Sequence, residues 1–578
     1  MASVDPITRE IIRNALATAG DEMSVTMYRT AYSTIVRDCL DYSTQITDAQ
    51  GQMIAQGVTI PLHIGSAPFA MKTLFGKFEG SIEEEDIFIL NDPFDGGMHT
   101  PDIFIVKPIF WQGSRVAFAI ATAHHLDVGG RLPGSSACDN TEIFQDGLRI
   151  PWLKLYRKGQ PDESLFTLLK ANVRVPELTL GDLRAQIAAC NVGQRRIKEL
   201  IQHHGLETYR ECTHLLIEQT ERIVRDEIRS WPEGSYSFED YMDTDGVGGP
   251  PVKIKVTLTV SGDSLRADFT GTDPQVRGAL NSTLSYTASV TAACIRSVLR
   301  EQDVPNTAGM FRPLTITAPE ATVVNVVMPG ASSMRGVTGF RIVDTVMGAL
   351  SKIIPDRIMA CGEGGNSLVI MGGQRPDRSL YVYYELLTGD WGGRPDRDGN
   401  DGLCNPVNVA SNIPIEEAEC EYPVRIERYG LAEDSGGAGK YRGGLAVERE
   451  WRLLHGDASL SIRSDRRDHP PYGLYGGKDG LGSINLLRHH GVEEVLPTFV
   501  STVLKAGQRL YHRMPGGGGW GDPLERDPEA VARDVKNEKV STEAARQLYG
   551  VVLKDDGCAD PDATAELRKR RTAGGGRR

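Results

Sequence analysis

Two stretches between residues 91 and 130 concentrate side chains that bind divalent cations: Asn91-Asp-Pro-Phe-Asp-Gly-Gly-Met-His99-Thr-Pro-Asp102 and Ala123-His124-His125-Leu-Asp127-Val-Gly-Gly130. A catalytic cation needs three or four His and carboxylate groups converging on one point, with a coordination position left for water. The candidate set is Asp41, His99, Asp102 and His124, with His63, Asp95, His125 and Asp127 in reserve. Mixed His and Asp donors without Cys suit zinc, manganese or iron and do not choose among them. An ion so held would lower the pKa of a water towards neutrality, which is the chemistry of metal-assisted hydrolysis. The competing account makes these residues turn formers and a hydrogen-bonded core histidine. Four candidates at adjoining strand ends weigh against it.

The backbone must bring these groups together. Residues 103–110 and 116–123 are rich in β-branched, aromatic and small apolar side chains, and they flank Trp111-Gln-Gly-Ser-Arg115, a hairpin signature. A turn centred on Gly113 sets Asp102 opposite His124 and His99 near Asp127. Alternation puts Val116, Phe118, Ile120, Thr122 and His124 on one face, and Ala117, Ala119, Ala121, Ala123 and His125 on the other. Only one of the two histidines can therefore join Asp102. This register selects His124; a slip of one residue would select His125. A second hairpin is expected over residues 41–55, turning at Asp48-Ala-Gln-Gly51 with Asp41 at its outer end.

At 578 residues the chain exceeds what one hydrophobic core usually supports, so two to four domains are expected. The formal charge of -13 and a pI near 5.5 argue against a nucleic-acid partner. The start has no apolar core of a signal peptide, and no segment approaches the roughly 18 uninterrupted apolar residues of a membrane span, so a cytoplasmic protein without a membrane partner is expected. The nine cysteines are dispersed and never form a CxxC pair, which fits reduced thiols. The Asn281-Ser-Thr sequon is accordingly a chance match.

Apolar spacing predicts a helix over residues 5–31, another after Pro61-Leu-His63-Ile-Gly-Ser66, and a long helical run from Gly181 to about Arg229. The breaker cluster Trp231-Pro-Glu-Gly-Ser235 marks a first boundary, followed by a β-meander over 235–271 and a helix near 285–300. A second boundary is placed around 420–430. Beyond it come Gly-rich turns, short strands over 446–454 and 460–464, and helix over 528–549. Helices and antiparallel hairpins alternate without a βαβ rhythm, so the fold class is α+β and multidomain. The division is 1–232, an N-terminal metal-site domain; 233–425, a central α+β domain; and 426–578, a Gly-rich β domain with a helical tail.

Other motifs fail on detail. Glu433-Asp-Ser-Gly436-Gly-Ala-Gly-Lys440-Tyr-Arg-Gly-Gly444 approximates a phosphate loop but lacks the first Gly, at Asp434, and the Ser or Thr after Lys440. Pro515-Gly-Gly-Gly-Gly-Trp-Gly-Asp-Pro523 has no strand and helix around it to make a phosphate cradle. Residues 396–402 hint at a calcium loop, yet Asp401 stands where that loop needs Gly and Val407 where it needs Glu. No GxSxG elbow is present.

Set side by side, the segments around Asp41, Pro61, Asn91, Ala123, Thr141-Glu-Ile-Phe-Gln-Asp-Gly-Leu-Arg-Ile-Pro151, Gly181-Asp-Leu-Arg-Ala-Gln186, Asp434 and Pro515 resemble the hydantoinase B/oxoprolinase family, across nearly the whole chain. That family includes β subunits of ATP-dependent N-methylhydantoinases and caprolactamase, the C-terminal half of 5-oxoprolinase, and large subunits of acetone and acetophenone carboxylases. The resemblance implies one divalent metal, zinc or manganese, with its ligands falling on Asp41, His99, Asp102 and His124. It implies a hydantoinase A-type ATPase partner in an (αβ)2 heterotetramer that binds the ATP and phosphorylates the substrate. Length favours the hydantoinase and lactamase subunits, hence hydrolysis of a lactam, hydantoin or 5-oxoproline. His125, Asp127 or His63 would orient the water or relay a proton. Asn172, Arg174 and Asp182 would shape the site or bind phosphate, unless they serve structural pairing. Phe94 and Met98 stand where the family often has Tyr and Thr, and are expected to alter the pocket. The alternatives are a carboxylase large subunit and a non-catalytic scaffold.

Overall fold

The computed structural model describes residues 4–363 and 367–574. Among these, twelve α-helices accompany four mainly antiparallel sheets, the α+β class expected from the sequence. The first sheet carries the site. Its strands are β1 (Tyr42–Asp48), β2 (Met53–Gln56), β3 (Ile87–Leu90), β4 (Asp102–Trp111), β5 (Ser114–His124), β6 (Leu153–Arg157) and β7 (Gln160–Pro161), in the order β2-β1-β5-β4-β3-β6-β7. The helices of this half are α1 (Pro6–Thr30), α2 (Thr34–Arg37), α3 (Ser66–Phe78), α4 (Glu163–Asn172), α5 (Pro176–His204) and α6 (Leu206–Arg229). The run expected from 181 to 229 thus starts earlier and is broken. Gly205, with φ 84 and ψ 151, leaves the helical region between α5 and α6.

The β4–β5 hairpin reaches the expected register by a different route. Gln112 and Gly113 both have positive φ (48 and 77), so the loop has two residues and pairs Trp111 with Ser114. Phe110 then pairs with Arg115, but Ile109 pairs with Ala117, leaving Val116 as an extra, bulged residue. That insertion restores the pairing of Asp102 with His124.

The alanines of β5 explain how the sheet is covered. Ala117, Ala119, Ala121 and Ala123 belong to one core with Ile12, Leu16 and Met23 of α1 and Ala189 of α5. Small residues let the helices come close: a Cβ on Gly193 of α5 would lie 3.1 Å from Ala119 Cβ. Phe118 and Ile120, on the other face, enter a second core with Phe104 and with helices α7 (Leu284–Ser297) and α8 (Arg335–Leu350). Both cores take side chains from either side of residues 232 and 425, so the three expected segments share their cores. Residues between 531 and 559 form a small third cluster with Ala438.

The expected meander is Gly234–Met242, Val252–Ser261 and Ser264–Asp268, and a parallel strand, Leu314–Thr317, extends it. The glycine-rich segments make neither phosphate loops nor simple turns. The amide N–H groups of Gly516, Gly517, Gly518 and Gly519 donate to Leu481 O, Gly444 O, Cys361 O and Lys478 O at 2.9, 3.0, 2.7 and 2.8 Å. Successive residues of one chain thus bond to different neighbours, and backbone packs directly on backbone. In the rejected calcium loop, Asp398 pairs with Arg526 and Asp401 with Lys539. No helix among the described residues is long and apolar enough to cross a membrane.

Candidate metal centre

Three strand ends meet at the site. Leu40 adopts a left-handed conformation (φ 59), which turns the chain after α2 so that Asp41 enters β1 beside β5. His124 N–H donates to Asp41 O at 3.0 Å, while Asp102 heads β4 on the other side of β5. His99 comes from the loop before β4. Gly96 there has φ 102, and a Cβ on Gly97 would lie 2.7 Å from Asp92 O, so both glycines are required by the turn. Asp102 N–H donates to His99 O at 3.0 Å, which closes the turn and brings the two side chains together.

The donor atoms converge. His99 Nε2 is 2.9 Å and His124 Nδ1 is 3.3 Å from Asp102 Oδ1, and the two nitrogens are 3.2 Å apart. Asp41 Oδ2 lies 3.9 Å from His124 Nδ1. Ser333 O, 3.3 Å from His99 Nδ1, assigns the His99 proton to Nδ1 and leaves the Nε2 lone pair facing Asp102. Asp102 Oδ1 is buried, with the two imidazole nitrogens as its nearest polar neighbours. With His124 also carrying its proton on Nε2, the three lone pairs face one another and would be held by a shared cation. Metal–ligand bonds of about 2.0–2.1 Å place neighbouring donors roughly 2.9–3.4 Å apart in octahedral or tetrahedral arrangements, so the donor set fits such an ion. Among the described residues, the cluster that could hold a metal is His99, Asp102 and His124, with Asp41 at its edge.

Electrostatics favour ligand-ready protonation states. Burial, followed by the Arg335 guanidinium, pushes the His99 pKa down to about 3. Burial opposes ionisation of Asp102, but His99 and Arg335 hold its pKa well below the usual carboxylate range. Arg335 donates to Asp102 Oδ2 and stacks on Tyr286, with its guanidinium carbon 3.6 Å from the ring centroid. The depressed His99 pKa makes stability depend on acidity. An unfolded histidine titrates near 6.5, so acid protonates the unfolded chain first and stability is lost as pH falls below that value. In cation-free protein, wild type should lose about 2 kcal/mol relative to His99→Gln between pH 7 and 5. Urea unfolding of both proteins measures this; a pH-independent difference contradicts it.

The cavity beside the donors measures about 40 Å³, on the order of three waters. Asp41, His63, His99 and His124 line it, together with Arg335, Arg463, Tyr286, Tyr384 and Asn408, and with an apolar wall of Ile60, Leu62, Phe340 and Leu386. Of the three relay candidates only His63 is here; its Nδ1 is 3.2 Å from Ser43 Oγ, and burial lowers its pKa. His125 lies on the opposite face, as alternation requires, with Nε2 2.9 Å from Gln186 Oε1 of α5. Beyond His124 the ladder continues only as the bond from His125 N–H to Pro101 O, and Asp127 is engaged by the loop that follows. Its carboxylate accepts hydrogen bonds from Gly129 N, Gly134 N, Arg174 N and Arg174 Nη1, which makes it a loop clamp.

The other candidates are also placed elsewhere. Asp95 pairs with Lys77, and Asp182 caps the chain at Tyr32 and Ser33. Arg174 is held by Asp127, and Asn172 donates to Leu168 O. Met98 is buried in the second core, and neither it nor Phe94 lines the cavity. Residue spacing gave no sign of Tyr286, Arg335, Tyr384, Asn408 or Arg463, which arrive from distant segments. The one hint was an arginine heading helix α8, which carries Arg341 and Asp344 among mostly apolar residues.

Residues 5–523 match the model of the family described as hydantoinase B/oxoprolinase. The chain is 33% identical over 587 residues to a putative D-/L-hydantoinase component, the B chain of the enzyme of Pseudomonas sp. (strain NS671), covering 98% of this chain and 99% of that protein. It is 32% identical to the caprolactamase beta chain of Pseudomonas jessenii, with the same coverage of both. The crystal structure of the ATP-dependent caprolactamase from that organism superimposes with a TM-score of 0.91 at 31% identity, covering 98% of this chain and 100% of that one. A nucleotide-free acetone carboxylase structure shares the fold, with a TM-score of 0.92 at 20% identity over 99% of this chain and 83% of that one.

Proposed function

The chain belongs to the hydantoinase B/oxoprolinase family, and from that premise we propose that it is the cation-holding subunit of an ATP-dependent enzyme that opens a cyclic amide. The observation that carries the reading is the convergence of His99 Nε2, Asp102 Oδ1 and His124 Nδ1 on one point. The hydantoinase and caprolactamase relatives are each named as one component of a multi-subunit enzyme, which supports a partner chain. In this reading the partner is a hydantoinase A-type ATPase, assembled as (αβ)2 in the cytoplasm, and it phosphorylates the amide oxygen. Phosphorylation would activate the amide carbon: water adds to it, the ring C–N bond of the adduct breaks as the nitrogen takes a proton, and a second water releases phosphate from the acyl phosphate so formed.

His99, Asp102 and His124 would hold one divalent zinc or manganese ion, with Asp41 beside them. Such an ion supplies Lewis acidity and a water of lowered pKa. The protein supplies the rest. Ser333 and Arg335 orient His99 and Asp102. His63, kept neutral by burial, accepts a proton at the cavity wall. Ile60, Leu62 and Phe340 would present hydrocarbon to the ring methylenes.

Purified protein prepared with excess zinc or manganese should retain one ion per chain. Combined with its ATPase partner, it should open caprolactam, a hydantoin or 5-oxoproline only when ATP is present. Protein without stoichiometric cation would defeat the site. Ketone-dependent fixation of labelled bicarbonate without amide turnover would replace the hydrolase reading with a carboxylase.

A further inference from the structure

We infer that Asp146, which touches no candidate ligand side chain, is a positioning residue that sets the affinity of the cation site; this rests on the cation-holding reading above. Asp146 is fully buried. Its Oδ1 accepts from Asn140 Nδ2 at 2.8 Å, and its Oδ2 accepts from the backbone N–H groups of Ser332 and Ser333 at 2.8 and 2.9 Å. Its own carbonyl accepts from Thr100 Oγ1 at 3.1 Å, one residue beyond His99. A single residue thus ties the loop that bears His99 to the segment 332–335.

That segment makes both outer contacts of the donor set. Ser333 O fixes the His99 tautomer, and Arg335 occupies Asp102 Oδ2, so that Oδ1 is the oxygen left beside the imidazoles. Outer partners of this kind orient ligands and tune their basicity. The flanks of the segment have other anchors. Asn281 Nδ2 donates to Ala331 O at 3.0 Å, Met334 N–H to Ala279 O at 3.0 Å, and Ile143 N–H to Pro329 O at 2.9 Å. Loss of the Asp146 bonds should therefore disturb the aim of Ser333 and Arg335 while the segment stays docked.

The chemistry of the contact requires a carboxylate. All three side-chain partners of Asp146 are donors, so an amide at this position must set its NH2 group against one of them. Asn140 cannot simply rotate to compensate, because its Oδ1 accepts from Arg131 Nε at 3.1 Å. Exchanging the two residues restores the order. In the double substitution Asp146→Asn with Asn140→Asp, the amide oxygen at 146 faces the two backbone N–H groups, and its NH2 donates to the carboxylate at 140. That carboxylate still accepts from Arg131.

The test measures zinc or manganese affinity of the full chain by chelator competition, with thermal unfolding recorded in chelator alongside. Asp146→Asn should weaken binding by about 10–100-fold, and the double variant should recover most of it. Stability would not distinguish the roles, but recovery of affinity does. Wild-type affinity in Asp146→Asn overturns the inference, as does a folded double variant whose affinity stays lost. If Asp146→Asn does not fold, the double variant decides alone. Wild-type protein that takes up no cation overturns the functional reading and the inference with it.

Discussion

Asp102→Asn is expected to lose the cation and, with it, ring opening. The substitution keeps the shape of the side chain and an oxygen for Arg335, which holds Asp102 Oδ2. With that oxygen retained, the new NH2 group points at His99 Nε2 and His124 Nδ1, the atoms now 2.9 and 3.3 Å from Asp102 Oδ1. A donor then stands where the donor set needs an anionic acceptor. Affinity should fall by more than the roughly 100-fold that loss of an outer partner costs. Partner-dependent turnover should fall on the order of 1000-fold, about 4 kcal/mol of barrier. Asp102→Ala is the poorer probe, because it leaves a buried guanidinium unpaired at a cost of about 3–5 kcal/mol in stability. Metal content, chelator competition and turnover with the ATPase partner test the expectation. An Asp102→Asn protein that keeps one ion per chain and normal turnover would remove Asp102 from the site.

Gly518→Ala should prevent accumulation of folded protein. Gly518 N–H donates to Cys361 O at 2.7 Å, and its carbonyl accepts from Gly393 N at 2.8 Å, so neither strand can retreat without losing a bond. A Cβ there runs into the carbonyl of Tyr472, a backbone atom with nowhere to move. The cost should exceed about 4 kcal/mol. Gly76, exposed on α3 with no atom within 4 Å of an added Cβ, provides the contrast. Gly76→Ala should stabilise the chain by about 0.5–1 kcal/mol through helix propensity. Soluble yield and urea midpoints measure both; a normal midpoint for Gly518→Ala would show that the layer yields.

The hairpin that carries the site was legible because a period of two specifies both partners and faces. Asp102 opposite His124, and His125 turned away, follow from it directly. The register equals that of a turn centred on Gly113 although the loop is centred half a residue earlier, because the bulge at Val116 makes up the difference. Asp127 is not legible in the same way, because it lies past the last pair of the ladder, where its partners come from the following loop. The break at Gly205 was hidden by apolar periodicity that continues on both sides. The contributions of Ser333, Arg335 and Tyr384 are long-range, so no local spacing encodes them. Asp146 lies within the Thr141–Pro151 motif, but its role depends on backbone amides nearly two hundred residues away.

The glycine layer around residues 516–519 also bears on how the protein responds to temperature. Unfolding most of a domain exposes hydrocarbon, which raises heat capacity by about 0.45 cal/K/mol per Å², whereas peptide surface lowers it by about 0.26. A layer built from amides packed on amides releases mainly the second kind. It therefore contributes melting enthalpy with little curvature, and flattens the dependence of stability on temperature for the part of the chain it holds together.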